Sequence, residues 1–444
     1  MDPALLADWV IDARRRTLAL YADLTDAQLA VPYLRIINPP IWELGHLAWF
    51  QEYWVLRRAL GGTPARADAD ALWDSAKVPH ATRWSLPLPS RAETLGYLEA
   101  VGERVLGALR EAGAMLDEEL RYFVLLSVFH EDMHGEAFAY TRQTLGWPAP
   151  RLTRGTDQNA SAEHHRAGPL AGDVTVPGGV WRLGAEPEPE PSFVFDNEKW
   201  AHDVEVRPFR IARAPVTQAE FAGFVDDGGY RRRELWSEPG WAWRQDADAG
   251  QPLYWRRGAQ GSWERRVFDR WVALEPHRPV LHVCAHEAEA YCHWAGRRLP
   301  TEAEWEMAAA GQPEAPGAGP APLRHKRTYP WGQQPPGREH ANLDLEVGDT
   351  VDVGALPDGD SAFGCRQMLG NVWEWTASTF LPYPGFSIDP YEEYSAPWFG
   401  DHRVLRGGCF VTRARLLRTT WRNFYTADRR DVWAGFRTCD ATLP

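Results

Sequence analysis

Apolar side chains recur at helical spacing through residues 1 to about 147. Near the start they are Leu5, Leu6, Trp9 and Val10, followed by Leu18 and Leu20. Thr25 and Gln28 form a capping-box pattern that predicts a second, short helix. A third helix begins at Pro39-Pro40 and runs past Leu56, and two longer helices follow at roughly 90–113 and 117–145. We therefore predict a four-helix antiparallel bundle with a polar connection around 61–89.

The pattern changes after Trp147. Residues 151–172 are polar and aperiodic, which predicts a linker in which His164 and His165 are solvated. Beyond 173 we expect short strands and many turns, with one helix from His286 to Gly296 and another starting at Thr301. The predicted fold class is multidomain, α and α+β. The predicted domains are a bundle at 1–150, the linker, and a loop-rich α+β domain at 173–444.

Charge and composition narrow the functional classes. Lys and Arg number 48 against 61 Asp and Glu, a net charge of −13, which disfavours nucleic acid as a partner. Five cysteines without a Cys-x-x-Cys pair disfavour a disulfide framework and a cysteine-rich zinc site. The longest largely apolar run, Tyr122 to Phe129, is far short of the roughly 20 residues that span a bilayer. Since the N-terminus also lacks a signal-peptide core, we expect a cytoplasmic protein without a membrane partner.

The segment FHEDMHGEAF carries the strongest local chemical signal. His130 and His134 are four residues apart on a predicted helix, so both imidazoles leave one face and can share a metal. His46, on a facing apolar helix, is the candidate third ligand, and Glu136 is a candidate to hold a ligand ring nitrogen. Three neutral histidines suit zinc or non-haem iron. The same motif matches zinc hydrolases, with Glu131 as general base, but the usual downstream third ligand is missing.

The C-terminal part is rich in tryptophan and arginine. Such a cluster can bind a quaternary ammonium group, because aromatic faces attract cations. For most of these tryptophans we expect packing in the core of the domain rather than a place in a binding pocket. They are Trp373, Trp375, Trp421 and Trp433.

Two groups of motifs together resemble the ergothioneine-type sulfoxide synthases. NPPIWELGHLAWFQEYWVLR and HEDMHGE resemble their DinB-like bundle. PVLHVCAHEAEAYCHWAGRRLPTEAEWE, YPWG, GNVWEW, RVLRGG and AGFR resemble the formylglycine-generating-enzyme-like, C-type-lectin-like domain that follows it. The resemblance covers nearly the whole chain outside the linker. It implies that the second domain completes the substrate pocket.

The resemblance implies a function for particular residues. Fe(II) would be held by His46, His130 and His134. Tyr391 occupies the place of the family's catalytic tyrosine, a proton donor. Residues beside the substrate hercynine, N-trimethylhistidine, correspond to Asn423 and Phe424.

This chain departs from the pattern of family members that use γ-glutamylcysteine. Of an arginine pair only Arg83 remains, since the other position is His80. Of an acid–arginine pair Arg429 remains, and the acid's place is Tyr425. Met133 precedes the second helical histidine, where we expect Gln.

A tyrosine in place of an acid suits a less charged donor, such as a sugar. The combination resembles the selenoneine synthase branch, whose substrates are hercynine, a selenosugar and O2, and implies a functional partnership with a selenosugar-forming enzyme. Tyr391 and Tyr425 are both candidates for the acid. Three alternatives stay open: a γ-glutamylcysteine- or cysteine-dependent sulfoxide synthase, a zinc hydrolase, and a metal-free betaine-binding module. Formylglycine-generating activity is disfavoured, because the positions after Cys409 lack the cysteines that bind copper in those enzymes.

Overall fold

The computed structural model describes residues 2–113, 116–152, 166–187, 193–313 and 326–442. It divides into two compact units, Met1–Arg154 and Gly155–Pro444. The first is helical, and the second mixes short strands with helices and long irregular segments. This confirms the predicted multidomain α and α+β fold class.

Six α-helices make up the described part of the first unit. They are α1 (Pro3–Tyr21), α2 (Asp26–Leu29), α3 (Pro40–Gln51), α4 (Ala69–Trp73), α5 (Arg91–Ala112) and α6 (Glu118–Leu145). Helix α3 continues without a break into a π-helical segment, Glu52–Ala59. The long helices α1, α3, α5 and α6 pack on one another as the predicted bundle.

Local sequence signals set several of these helix ends. Thr25 and Gln28 form the predicted capping box of α2, and Ser90 and Glu93 form another at α5. Helix α6 ends at Gly146, whose φ of 66° is a left-handed conformation that glycine adopts without steric cost. Caps and periodicity therefore account for the close match between predicted and observed helices.

The connection at 61–89 differs from the prediction. We expected a polar loop, but it contains α4, in which Ala69, Leu72 and Trp73 are buried. Trp42 donates its indole N–H to the Leu72 carbonyl at 2.7 Å. A five-residue helix is too short for periodicity to reveal, so this part of the core was not predicted.

Thirteen short strands belong to the described part of the second unit. They are β1 (Asp173–Val176), β2 (Gly179–Leu183), β3 (His202–Val206), β4 (Phe209–Ala212), β5 (Trp255–Arg257), β6 (Trp263–Val267), β7 (Arg270–Ala273), β8 (Arg297–Arg298), β9 (Trp373–Thr379), β10 (His402–Arg406), β11 (Asn423–Thr426), β12 (Ala434–Gly435) and β13 (Cys439–Asp440). They form two four-stranded sheets, β1-β4-β13-β8 and β11-β10-β9-β12, with a β2-β3 pair and a β5-β6-β7 sheet. Strand β11 lies at the edge of its sheet and pairs antiparallel with β10, Phe424 opposite Val404.

Four α-helices accompany these strands in the described ranges. They are α7 (Gln218–Asp226), α8 (Glu238–Asp246), α9 (Ala285–Trp294) and α10 (Glu302–Ala310). Both helices predicted here, α9 and α10, are present. Helix α10 is capped by Thr301 and Glu304, as its sequence indicates.

The tryptophans of the C-terminal part are core residues. Trp373, Trp375, Trp421 and Trp433 are all buried, which confirms their structural role. All five cysteines are buried free thiols. No helix in the described ranges is both long and apolar enough to cross a bilayer.

The end of the predicted linker is tied to the second unit. The Gly168 N–H donates to Asp352 at 3.0 Å, and the Gly172 carbonyl accepts from the Arg213 N–H at 3.0 Å. His164 and His165, which we expected in the linker, lie outside the described residues.

Candidate functional site

His46 is fixed in the middle of α3 by the short helix α4. The Trp73 carbonyl lies 2.8 Å from His46 Nδ1. Since a carbonyl can only accept, Nδ1 carries the proton and Nε2 keeps its lone pair. Gly45 allows this contact, because a Cβ there would lie 2.1 Å from the Trp73 indole nitrogen.

The other two histidines leave one face of α6, as their spacing predicts. The His130 ring stacks on Phe50 with centroids 3.5 Å apart. His134 donates its Nδ1–H to the Glu43 carboxylate at 2.6 Å, which leaves Nε2 as the free acceptor. Two helices therefore present three oriented imidazoles.

The three imidazoles converge on one point in the bundle. One nitrogen from each of His46, His130 and His134 lies within 4.8 Å of the other two. The Nε2 atoms of His46 and His130 are 3.3 Å apart. His46 Nε2 presents a lone pair there, so a proton or cation is needed between the two atoms. This donor set fits a metal ion with open coordination positions.

Burial keeps the first two histidines neutral. His46 and His130 are 2% and 4% exposed. Burial, followed by the nearby His134, holds the pKa of both rings well below the ordinary value. Neutral imidazole is the form that binds metals, so these two rings are in their metal-binding form at neutral pH.

Glu131 is not placed as a general base. Its carboxylate accepts from Arg14 Nε at 2.9 Å and from a terminal Arg14 nitrogen at 3.2 Å. The carboxylate is buried in this ion pair, so both of its oxygens already accept hydrogen bonds from a guanidinium. The geometry argues against the zinc-hydrolase hypothesis.

The predicted role of Glu136 was to orient the ring of a histidine ligand. The orienting partners that the structure shows are Glu43 at His134 and the Trp73 carbonyl at His46, and the role of Glu136 stays a prediction. Glu136 is buried on α6, two residues beyond His134. Glu43 was not predicted, because its contact joins residues 91 positions apart. The one available signal was a charged residue in an otherwise apolar helix, three residues before His46.

The donor-binding candidates of the first unit lie near α3. His80 begins a 3-10 turn, and its Nε2 lies 2.7 Å from the Ile37 carbonyl. Burial lowers the pKa of His80, so the side chain is neutral where the γ-glutamylcysteine pattern has an arginine.

Arg83 is connected to the histidine cluster through one aromatic ring. Its guanidinium lies 3.9 Å above Trp42, whose other contacts include a stack on His46 at 4.8 Å. Arg83 also donates to Asn38 at 2.6 Å. Met133 is half-buried on α6, directly before His134. His80, Arg83 and Met133 remain the predicted substrate contacts of this unit.

In the second unit, Tyr391 is linked to Phe424 through Tyr394. The rings of Tyr391 and Tyr394 are 6.0 Å apart, as are those of Tyr394 and Phe424. Phe424 also stacks on Phe380 at 4.1 Å. Tyr394 was not among the predicted site residues, although it follows Tyr391 by only three positions.

Tyr425 and Arg429 form a second pair. The Arg429 guanidinium lies 5.0 Å from the Tyr425 ring and binds the Asp431 carboxylate at 2.7 and 2.9 Å. Neighbouring strand residues point to opposite faces, so Asn423 and Tyr425 leave β11 on the face opposite Phe424. The candidate residues on this strand are therefore divided between two faces.

The segment that carries Tyr391 has an anchor on each side. Lys199 donates to Asp389 at 2.7 and 2.8 Å. The buried Ser395 hydroxyl donates to Asp196 and accepts from the Asn197 amide at 3.0 Å. Both anchors bind residues 196–199, so Tyr391 lies between two fixed points.

A groove of about 1280 Å³ crosses another part of the second unit. Its lining includes Tyr383, Arg403 and Arg422. None of the five candidates in this unit is among the residues that line it.

Both parts of the chain match known families. Residues 10–138 match the DinB superfamily, and residues 158–442 match the sulfatase-modifying factor enzyme 1-like domain. A formylglycine-generating enzyme of Thermomonospora curvata is 33% identical over 299 residues, which cover 60% of this chain and 92% of that protein.

Two relatives match nearly end to end. The hercynine oxygenase of Mycolicibacterium thermoresistibile is 41% identical over 445 residues, covering 98% of this chain and 94% of that protein. That of Mycobacterium tuberculosis is 40% identical over 441 residues, covering 98% of both. With its helical unit, its sulfatase-modifying-factor-like domain and this similarity along its length, the chain belongs to the hercynine oxygenase family of oxidoreductases.

Proposed function

We propose that this chain is an O2-dependent, non-haem iron(II) enzyme that joins hercynine to a selenosugar and gives selenoneine. The new bond links selenium to the imidazole carbon between the two ring nitrogens. Hercynine as substrate is supported by relatives named hercynine oxygenase. The selenium donor is supported by the residues where this chain departs from the γ-glutamylcysteine pattern.

His46, His130 and His134 would hold the iron. Bound there, iron(II) would supply O2 activation and adjacent coordination positions for the substrates. The convergence of three imidazole nitrogens, two of them on fully buried rings, suits this role. The protein's own contribution is to keep the three rings oriented, and burial keeps His46 and His130 unprotonated.

Hercynine carries a permanent positive charge on its trimethylammonium group. Aromatic faces attract such a group, and Phe424 lies in a cluster with Phe380 and Tyr394. We assign Phe424 to this substrate and Tyr391 to proton donation. A contact of Asn423, on the opposite face of β11, with the same substrate stays a prediction. In the net reaction, the hydrogens of the imidazole C–H and the selenol Se–H leave as water with one oxygen atom of O2. The second oxygen atom stays on selenium as a selenoxide. Hydrolysis of the selenium–sugar bond then gives the free sugar and a selenenic acid, and two thiol molecules reduce this acid to selenoneine, forming a disulfide and water.

The observation that carries the choice of donor is the pairing of Arg429. Asp431 already forms an ion pair with its guanidinium, which also lies 5.0 Å from the ring of the uncharged Tyr425. His80 is also neutral, because burial lowers its pKa. γ-Glutamylcysteine carries carboxylates and an ammonium group that need charged partners. A selenosugar needs hydroxyl partners and ring faces, which Tyr425 offers.

A second candidate is hercynine sulfoxide formation with γ-glutamylcysteine or cysteine. It is favoured by 40% and 41% identity to hercynine oxygenases over nearly the whole chain. The two candidates share the iron site and hercynine, and differ only in the donor.

A competition assay tests the proposal. Iron(II)-loaded protein receives hercynine, O2, a selenosugar and γ-glutamylcysteine together, and mass spectrometry identifies the products. We expect a selenium-containing hercynine product. A sulfoxide alone would move the chain to the second candidate, and the absence of any hercynine product would overturn both.

A further inference from the structure

The three histidines of the cluster are oriented by chemically different partners. His46 donates to a neutral backbone carbonyl, and His130 stacks on Phe50. His134 donates instead to a carboxylate, that of Glu43. A carboxylate that accepts from one imidazole nitrogen makes the other nitrogen a stronger electron donor. The metal-facing nitrogen of His134 is therefore a stronger electron donor than that of His46, whose partner is neutral.

Glu43 is itself held by Tyr21. The Tyr21 hydroxyl lies 3.2 Å from Glu43 Oε2, while Glu43 Oε1 accepts from His134 at 2.6 Å. Tyr21 stacks on Phe138 at 3.8 Å and 11°, one helical turn beyond His134. Burial and the neighbouring Glu43 raise the pKa of Tyr21 well above its ordinary value, so the hydroxyl remains a donor. Helices α1, α3 and α6 thus form a continuous chain of contacts, Tyr21–Glu43–His134.

We infer that Glu43, oriented by Tyr21, is a positioning residue that strengthens the hold of His134 on the metal. Its negative charge also offsets part of the charge of a divalent ion among three neutral imidazoles. This inference rests on the proposed function, because it takes the histidine cluster to be the metal site.

The bundle contains a second tyrosine–glutamate pair, Tyr97 and Glu52, which allows the role of Glu43 to be compared with that of a glutamate that only packs in the core. Glu52 is buried and accepts from the Tyr97 hydroxyl at 2.6 Å. Its other oxygen accepts from the Ala65 N–H at 2.7 Å and from Arg104 at 3.4 Å. The contacts of Glu52 therefore stabilise the fold of the bundle, whereas Glu43 contacts His134, a predicted metal ligand.

The test measures metal affinity without turnover. Purified full-length protein is titrated with Co(II) against a competing chelator, and the visible absorption of bound Co(II) reports the ligand field. We expect Glu43→Gln to weaken Co(II) binding by about 10- to 100-fold and to shift the absorption bands. Tyr21→Phe, which keeps the stack on Phe138, should weaken binding by a smaller factor of about three.

Glu52→Gln is the matched control. It removes a buried charge from a tyrosine–glutamate pair in the same bundle, so it should lower thermal stability while its Co(II) affinity stays at the wild-type value. A folded Glu43→Gln protein with wild-type affinity and spectrum overturns the inference. If Glu43→Gln does not fold, Tyr21→Phe decides: reduced affinity supports the inference and unchanged affinity overturns it. Failure of the wild-type chain to bind any divalent ion would instead overturn the iron site of the proposed function.

Discussion

The two groups of candidate residues lie in different structural surroundings. In the helical unit, His46, His130 and His134 project from the middle of two long, buried helices. In the second unit, Tyr391 lies in an irregular segment, and Asn423 to Tyr425 lie on an edge strand. Helices hold ligands rigidly, while loops and strand edges accept substitution more readily. On the proposed function, the metal centre is the invariant part of the chemistry, and the loop-borne residues adapt it to a donor.

The charges of the two groups also differ. Burial keeps His46 and His130 neutral, and Glu43 supplies a carboxylate beside His134. In the second unit, Arg429 binds Asp431 and Lys199 binds Asp389. The histidine cluster of the helical unit can therefore bind a cation, whereas these charged side chains near Tyr391 and Tyr425 form ion pairs with one another. Substitutions in the first region should therefore change metal content, and those in the second should change rate or donor choice.

The largest expected effect comes from removing a ligand. His46→Ala should weaken iron binding by more than about 100-fold, since loss of a direct ligand exceeds the effect of losing a supporting contact. Metal analysis of the purified protein and product formation from hercynine check this. If His46→Ala retains iron at the wild-type level, His46 is not a ligand, and the zinc-hydrolase hypothesis is favoured again.

Tyr391→Phe should have the opposite combination of effects on metal content and on rate. We expect iron content to be unchanged and product formation to fall by about 100-fold, within the range for loss of a general acid. Single-turnover kinetics and metal analysis on the same sample separate the two effects. Tyr425→Phe measured alongside decides which tyrosine is the acid, since only the variant that lacks the acid should lose the rate.

The same contrast explains how far the sequence alone could lead. The helices carry periodic apolar positions and caps, so Thr25, Ser90 and Gly146 mark their ends from local chemistry. The i, i+4 spacing is by itself enough to place His130 and His134 on one helix face. Glu43 could not be found in this way, because its partner His134 lies on another helix. In the second unit, Tyr391 was predicted only from family resemblance. Its anchors at Asp389 and Ser395 depend on contacts between residues 190 and 199 positions apart.

A smaller effect is expected from restoring a charge beside Arg429. Tyr425→Asp should raise the use of γ-glutamylcysteine relative to a selenosugar by about tenfold, because a carboxylate attracts the donor's ammonium group. Competition with both donors and mass spectrometry measure the ratio. Tyr425→Asn is the control, since it also removes the ring but adds no charge. An equal ratio in both variants would mean that the charge at this position does not select the donor.

The smallest effect should come from the anchor of the Tyr391 segment. Ser395→Ala removes the hydroxyl that donates to Asp196 and accepts from Asn197, while Lys199 still binds Asp389. We expect roughly a fivefold loss of rate with unchanged iron content, below the hundredfold that an ångström of misplacement can cost.

Ser361→Ala is the control for that variant. Ser361 is buried in the same unit, and its hydroxyl accepts from the Cys365 N–H at 3.2 Å, in a different loop. Both variants lose one buried hydroxyl, so both should lower the melting temperature by a similar amount. Only Ser395→Ala should slow product formation. Equal rates in the two variants would show that the Lys199–Asp389 anchor alone suffices to hold Tyr391. The segment from Asp389 to Ser395 would then tolerate the loss of one of its two anchors.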